Sequence, residues 1–364
     1  MALLWCDGFD HYGGDINNLT DGPWAEVGVN STLGYTLSSS ISRTGGYSAR
    51  RGIGTPPFIM RRVLGGPKTT AGVGFALYLE KLPSANNERI VVQFRDFANI
   101  PNLSLIVQST GTLSVFRGHE TGTLLETTIS PVIVANAFQY IEMQATFSNT
   151  VGAYEVRVNG VAVMTAGNVD TVSTSGAEEA SQVAFPAGIT GGLVGTSDTN
   201  WAAYYDDIYA YDTTGSFNNT FLGDRRVYTL YPSADTAVAD WTPLSGNGWT
   251  NIDEGVDDDA SYIAAGVPGS PAELVSEFDL QNLPVTTGFI AGIEITNRVR
   301  KLEAGIADFQ TGIISNGAEL EGQIHPINPV YTYERDIFEF DPDTGASFTP
   351  SAIDALQVRV KRVT

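Results

Sequence analysis

"WAAYYDDIYAYDTTGSFNNTFLGDRRVYTLYPS", residues 201–233, changes character in its middle, and that change decides how the chain is divided. Its first third alternates aromatic, small and acidic side chains as a strand closing a sheet does. A polar stretch of Gly, Asn, Ser and Thr follows, and at Gly223 a new strand is expected to open with Arg225, Val227 and Tyr228. The stretch therefore predicts one domain over 1–213, a linker over 214–223 and a second domain over 224–364. So short a tether would limit the freedom of the two halves.

Working outward, apolar or alternating runs recur between clusters of Gly, Pro, Asn and Ser. "GVGFALYLE" (72–80), "RIVVQFRD" (89–96), "LSLIVQ" (103–108), "TLSVFRG" (112–118) and "FQYIEMQATF" (138–147) read as successive strands. In "EVRVNGVAV" the pair Asn159-Gly160 sits between two alternating runs, and a type I′ turn needs positive φ at both central residues, so a hairpin is expected there. Beyond residue 224, "GFIAGIEITNRVR" (288–300), "GIADFQTGIISN" (305–316), "VYTYERDIFEFDP" (330–342) and "ALQVRVKRVT" (355–364) continue the pattern. Only "SPAELVSEFDL" (270–280) and "TPSAIDALQ" (349–357) carry the Ser/Thr-Pro start of a short helix. The fold class is all-β: two tandem antiparallel β-sandwich, jelly-roll domains.

The chain has 364 residues, 42% of them hydrophobic, enough for two cores. With 20 Lys+Arg against 41 Asp+Glu the net charge is -21, which disfavours nucleic acid, since binding there rests on cations that neutralise phosphates. Cys6 is the single cysteine, so no intrachain disulfide is available. No apolar run reaches the roughly 20 residues that span a bilayer, so membrane insertion is not expected. The start, "MALLWCDGFDHYGGD", lacks the basic and apolar regions of a signal peptide, so synthesis in a host cytoplasm is expected, with any work outside the cell reached by release in a particle.

The order "DGFDHYG", "GYSAR" (46–50), "FRGHETGTLLET" (116–127), "YEVRVNG" and "YYDDIYAYD" resembles the concanavalin A-like, laminin-G-like jelly roll. The resemblance implies that the last strand of the first domain pairs near its first, with Asp207 and Ile208 beside Phe9 and Asp10. The join and the tail, with "NNTFLGDRRVYTLYPSAD" and "FEFDPDTGASFTPSAIDALQVRVKRV", resemble a tailed-bacteriophage virion protein. That resemblance implies a noncatalytic structural protein located in the virion, a tail or host-attachment component, with capsid decoration as the alternative. Its partners would be other virion proteins, copies of itself and a host-surface glycan. A freestanding carbohydrate-binding module is a further reading.

Enzymatic signals are few. "ERDIFE" (334–339) fits the Glu-x-Asp-x-x-Glu pattern of laminarinase-type glycoside hydrolases on the same fold. The likeness implies catalytic Glu334, Asp336 and Glu339, and a polysaccharide-degrading enzyme is the alternative function. Regular alternation places Glu334 and Asp336 on one face and Glu339 on the other, so that reading requires a bulge; an amphipathic strand with a charged edge does not. "GGPKTT" (65–70) lacks the spacing of a phosphate loop. The three histidines, His11, His119 and His325, are far apart in sequence and suggest no zinc site. No cofactor is expected unless it is calcium. Asp257, Asp258 and Asp259 cluster in an acidic loop, and Asp206 or Asp207 could face a loop acid in the first domain. Trp241, Trp249 and Trp201 are candidate sugar-stacking rings, although tryptophan in a sandwich is more often core.

Overall fold

A computed structural model describes the chain apart from residues 1, 25–33, 52–57, 86–88, 188–201, 256–258, 267–272, 303–304 and 364. The chain divides into two compact units, Met1–Val227 and Tyr228–Thr364. Among the described residues it is antiparallel β-structure with very little helix, and no helix is long and apolar enough to cross a membrane.

The first unit contains β1 (Leu3–Asp7), β2 (Tyr35–Ser38), β3 (Ser48–Arg51), β4 (Phe58–Lys68), β5 (Thr70–Leu79), β6 (Arg89–Arg95) and β7 (Pro101–Val107). They are followed by β8 (Leu113–Arg117), β9 (Thr123–Thr127), β10 (Phe138–Thr146), β11 (Gly152–Val158), β12 (Val161–Val169), β13 (Ala180–Ala187) and β14 (Ala203–Asp212). One sheet runs β12-β11-β10-β5-β14-β3-β2, with β1 also paired to β14; the other runs β4-β13-β6-β7-β8-β9. The sheets meet through aromatic rings, as expected where inward positions of both faces interdigitate. Phe75 of β5 lies edge-on to Phe185 of β13 at 5.3 Å, and Phe94 of β6 meets Phe147 at 5.5 Å. The Asn159-Gly160 hairpin is present, with φ of 50° and 79°. The last strand does pair with the first, but Ile208 stands opposite Asp7 instead of Phe9 or Asp10.

Two glycines of "GVGFALYLE" have a specific packing role. Gly72 and Gly74 of β5 pair with Tyr211 and Tyr209 of β14. A Cβ at Gly74 would stand 2.4 Å from the Tyr209 ring, and one at Gly72 2.1 Å from the Tyr211 ring. The two rings lie flat over strand backbone that only glycine leaves clear.

The segment expected as a tether is bound to the first unit. Leu222 N donates to Tyr209 Oη (3.1 Å) and Gly223 N to Glu142 Oε1 (2.8 Å). Val227 N donates to Asp207 Oδ1 (2.8 Å), while Phe221 packs edge-on to Tyr211 beneath the Arg157 guanidinium. No strand opens at Gly223, because Val227 spends its amide on a carboxylate and not on a ladder. The unit boundary therefore falls four residues later than the expected linker end, between Val227 and Tyr228.

The second unit contains β15 (Pro232–Ala239), β16 (Thr242–Pro243), β17 (Ile263–Ala264), β18 (Leu274–Leu280), β19 (Ile293–Val299), β20 (Asp308–Ser315), β21 (Ala318–Pro326), β22 (Thr332–Phe338) and β23 (Gln357–Arg362). A five-stranded sheet runs β15-β18-β23-β20-β21, and β16-β17 and β19-β22 form two-stranded ribbons. Ile313 of β20 and Phe338 of β22 share a core with Phe348, Ile353 and Leu356. Residues 274–280, expected to be helical, are instead the strand β18, whose Phe278 is buried with Phe309 and Val360. The second helix signal is real: Thr349 caps the short helix α1 (Pro350–Asp354) by accepting from Ala352 N.

Candidate functional site

In "RIVVQFRD" the period of two sends Phe94 into the core and Gln93 and Arg95 to the opposite face of β6. That face carries a continuous polar network. Arg95 Nε and Nη2 donate to Gln93 Oε1 (3.0 and 2.6 Å), and Gln93 Nε2 donates to Ser104 Oγ of β7 (2.8 Å). Ser104 Oγ in turn donates to Gly118 O at 2.6 Å. Further along the same sheet, Arg61 Nη1 of β4 donates to Gln182 Oε1 of β13 (2.6 Å). Gln93, Arg95 and Ser104 are buried, so each polar atom needs such a partner to offset its lost hydration.

Three loops gather at one end of this face. Arg95 Nη1 reaches Asn99 Oδ1 (2.9 Å) and Asn99 O (3.2 Å) across the β6–β7 turn. Glu179 Oε1 accepts from Phe97 N (3.1 Å), and Asp96 Oδ2 accepts from Ala177 N (3.0 Å), tying the turn to the 170–179 loop. The turn so fixed holds the Phe97 ring 74% exposed. After β8, His119 Nδ1 contacts the Glu120 carboxylate. Burial, with a smaller push from the positive Arg95, lowers the His119 pKa to about 4, so the imidazole is neutral at pH 7. Glu120 is only 7% exposed, and its Oε1 finds no hydrogen-bond partner among the described residues. The assembly thus offers an exposed aromatic ring, a neutral imidazole and an underused buried carboxylate above an arginine.

The residues singled out from the sequence lie elsewhere. The pairing of β22 with β19 is unbroken from Thr332 to Phe338, so the bulge needed to bring Glu334 and Glu339 to one side is absent. Glu334 and Asp336 instead bracket His325, at 3.0 Å from Nδ1 and 3.1 Å from Nε2, and Glu339 is buried beyond the strand end. Trp241 donates Nε1–H to Leu274 O (3.1 Å) and packs on Phe309, and Trp249 packs on the same core cluster, so neither forms an open stacking platform. Trp201, Asp257 and Asp258 lie outside the described residues, and Asp259 pairs with Arg298 at 2.7 Å. Among the described residues, no three His, Cys, Asp or Glu side chains form a metal-holding group.

Asp206 and Asp207 sit at a bulge of β14, and both are fully buried. Asp206 accepts from Arg43 N (2.8 Å) and Asp207 N (2.8 Å); Asp207 accepts from Val227 N and Arg43 Nη1. Burial outweighs these bonds and pushes both carboxyls well above 3.8, Asp206 further because Asp207 repels it. A folded-state pKa above the unfolded one means stability that is complete below about pH 4 and lost as pH rises through neutrality. Asp206→Asn should therefore match the parent near pH 4 and exceed it by about 2 kcal/mol near pH 8. Thermal melts of both proteins across that range measure this, and parallel curves would show that the pair ionises freely in the fold.

No protein-family model and no curated protein matches the chain. Among solved structures, it is similar to an endo-β-1,4-glucuronan lyase from the fungus Trichoderma reesei at 14% identity and TM-score 0.40, covering 57% of this chain and 94% of the lyase. Similarity to the cellulose-induced protein Cip1 stands at 17% and 0.43, covering 61% of this chain and all of Cip1. A third similarity is to a carbohydrate-binding module, CBM66, from Bacillus subtilis, at 8% and 0.32, covering 52% and 96%. At TM-scores below 0.5 these likenesses assign neither a family nor an activity. Polysaccharide lyases stand among these neighbours, against the expectation of a protein that is not an enzyme, but at these identities and TM-scores the likeness assigns no activity. None of these neighbours is a virion protein, and the phage assignment gains no support from them.

Proposed function

We propose that the first unit engages an acidic polysaccharide at the loop-bearing end of its six-stranded sheet. The observation that carries this reading is the Phe97 ring, held in solvent by Glu179 and Asp96 beside the Arg95 network. An exposed ring above a rigid hydrogen-bonded base supplies the apolar platform on which a sugar face stacks. The strands of this sheet carry Arg61, Arg62, Lys68, Arg89, Arg95 and Arg117 against the one acid Glu126, while Asp96, Glu120, Asp170 and Glu179 stand in the loops at its end, with Asp170 paired to Arg117. The strand cations are what would favour a uronate carboxylate over a neutral sugar.

Affinity electrophoresis against uronate-containing and neutral polysaccharides tests the reading. Retardation by the acidic polymers is expected, weakened roughly tenfold in Phe97→Ala, a loss of about 1.4 kcal/mol. Equal mobility in every gel would refute it.

Cleavage is a second reading, carried by His119, whose imidazole lies against the Glu120 carboxylate within electrostatic reach of Arg95, and whose pKa burial lowers to about 4. A neutral imidazole can take the proton from the carbon next to a uronate carboxyl. The electron pair then forms a carbon–carbon double bond, the neighbouring glycosidic C–O bond breaks, and the departing oxygen is protonated by water.

A further inference from the structure

The second unit contains a cleft of about 760 Å³ that shares no residue with the candidate site of the first unit. Three short elements build it. The β20–β21 turn at Asn316-Gly317 has φ of 49° and 83°, the type I′ signature. The loop 341–347, "DPDTGAS", is folded on Asp341, whose Oδ1 accepts from Asp343 N (3.0 Å) and Oδ2 from Thr344 Oγ1 (3.1 Å). Asn316 Nδ2 ties the turn to this loop through Asp343 Oδ2 at 3.2 Å. Helix α1 closes the third side with Ser351, Ala352 and the following Ala355. Its Ile353 and the adjoining Leu356 are anchored in the core with Ile313 and Phe348.

What lines the cleft narrows its ligand. Small side chains at Gly317, Ala346, Ala352 and Ala355 leave the space open. Hydroxyls of Ser315, Thr344, Ser347 and Ser351, the amides of Asn316 and Gln357, and two carboxylates dominate the polar surface. Ser315 is 5% exposed and lines the cleft. Hydroxyl and amide groups that line an open cleft can both donate to and accept from a polyhydroxylated ligand. The lining holds two acids and no Lys or Arg, so an anionic ligand would be repelled.

We infer that this cleft binds an uncharged polyhydroxylated ligand, a neutral hexose or hexitol, through Ser315, Ser347 and the Asp343 carboxylate. Its volume lies within the range of small-molecule sites, about 300–1,000 Å³. The inference stands whether or not the first unit binds polysaccharide, and its ligand preference is the opposite one. Saturation-transfer NMR on the full chain tests it, with neutral hexoses and hexitols against uronic acids, in the parent, Ser315→Val, Ala352→Leu and Phe97→Ala proteins. Transfer to at least one neutral sugar is expected, with affinity reduced roughly tenfold in the first two variants and unchanged in the third. Ala352 sits on a half-buried helix position, so Ala352→Leu fills the cleft without touching the core and decides the matter if Ser315→Val fails to fold. The inference is overturned by silence from every neutral sugar, by a signal indifferent to Ala352→Leu or lost in Phe97→Ala, or by transfer to uronic acids alone.

Discussion

Gly74→Val is expected to lower the stability of the first unit by about 3–5 kcal/mol, while Gly167→Ala changes it by less than about 0.5 kcal/mol. The two glycines look alike in sequence, each inside a strand of alternating pattern. A Cβ at Gly74 would meet Tyr209 Cε1 and Cζ at 2.4 Å, whereas one at Gly167 would have nothing within 4 Å, and neither residue has positive φ. Tyr209 is buried and cannot swing aside. Its hydroxyl donates to Glu142 Oε1 at 2.5 Å and accepts from Leu222 N. Displacing the ring therefore adds a second cost to overpacking, since Glu142 is fully buried and its Oε2 already lacks a partner among the described residues. It also detaches the 221–227 segment that Tyr209 and Glu142 hold. Urea unfolding followed by tyrosine fluorescence checks this, and a Gly74→Val midpoint equal to the parent's would mean that the ring has room the packing denies it.

Those glycines also mark what the sequence could and could not say. Alternation and turn chemistry are local, so the strands, the Asn159-Gly160 hairpin and the all-β class were legible from residues a few positions apart. The bond from Val227 to Asp207 is not local. Nothing in "GDRRVYTLYP" distinguishes an amide committed to a distant carboxylate from one awaiting a ladder, so a strand was expected where an extended segment lies. Residues 274–280 show the same limit: a Ser-Pro start suggested a helix, but Phe278 gains more by burial with Phe309 and Val360 in a sheet.

The candidate site was less legible than the fold. "ERDIFE" drew attention because its spacing is compact, yet an unbroken ladder holds Glu334 and Asp336 around His325. Phe97, Arg95 and His119 carry no motif. Arg95 and His119 come within electrostatic reach because β6 and β8 flank β7 in one sheet, and the Phe97 amide is fixed by Glu179, 82 residues away. The one available signal was "RIVVQFRD" itself, where Gln93 and Arg95 interrupt the apolar run of a strand buried along its whole length and so must find polar partners.

If the first unit cleaves acidic polysaccharide, His119→Ala is expected to reduce turnover by about 100-fold or more, the usual contribution of a positioned base, while polymer retardation in gels persists. Arg95→Lys should act differently. A lysine keeps the charge but cannot reproduce the guanidinium's four bonds to Gln93 and Asn99, so binding and turnover should both fall. The pH profile separates a base from a merely structural histidine. With burial and Arg95 holding the His119 pKa near about 4, the imidazole is already unprotonated through the neutral range. The acid limb of turnover should therefore fall near pH 4, below the ordinary histidine value of 6.5, and move upward when Arg95 is replaced by a neutral residue. The ultraviolet absorbance of the unsaturated product measures each rate directly. Bound polymer with no absorbance change in the parent would assign this face to recognition alone, and an acid limb unmoved in Arg95→Gln would detach His119 from the chemistry.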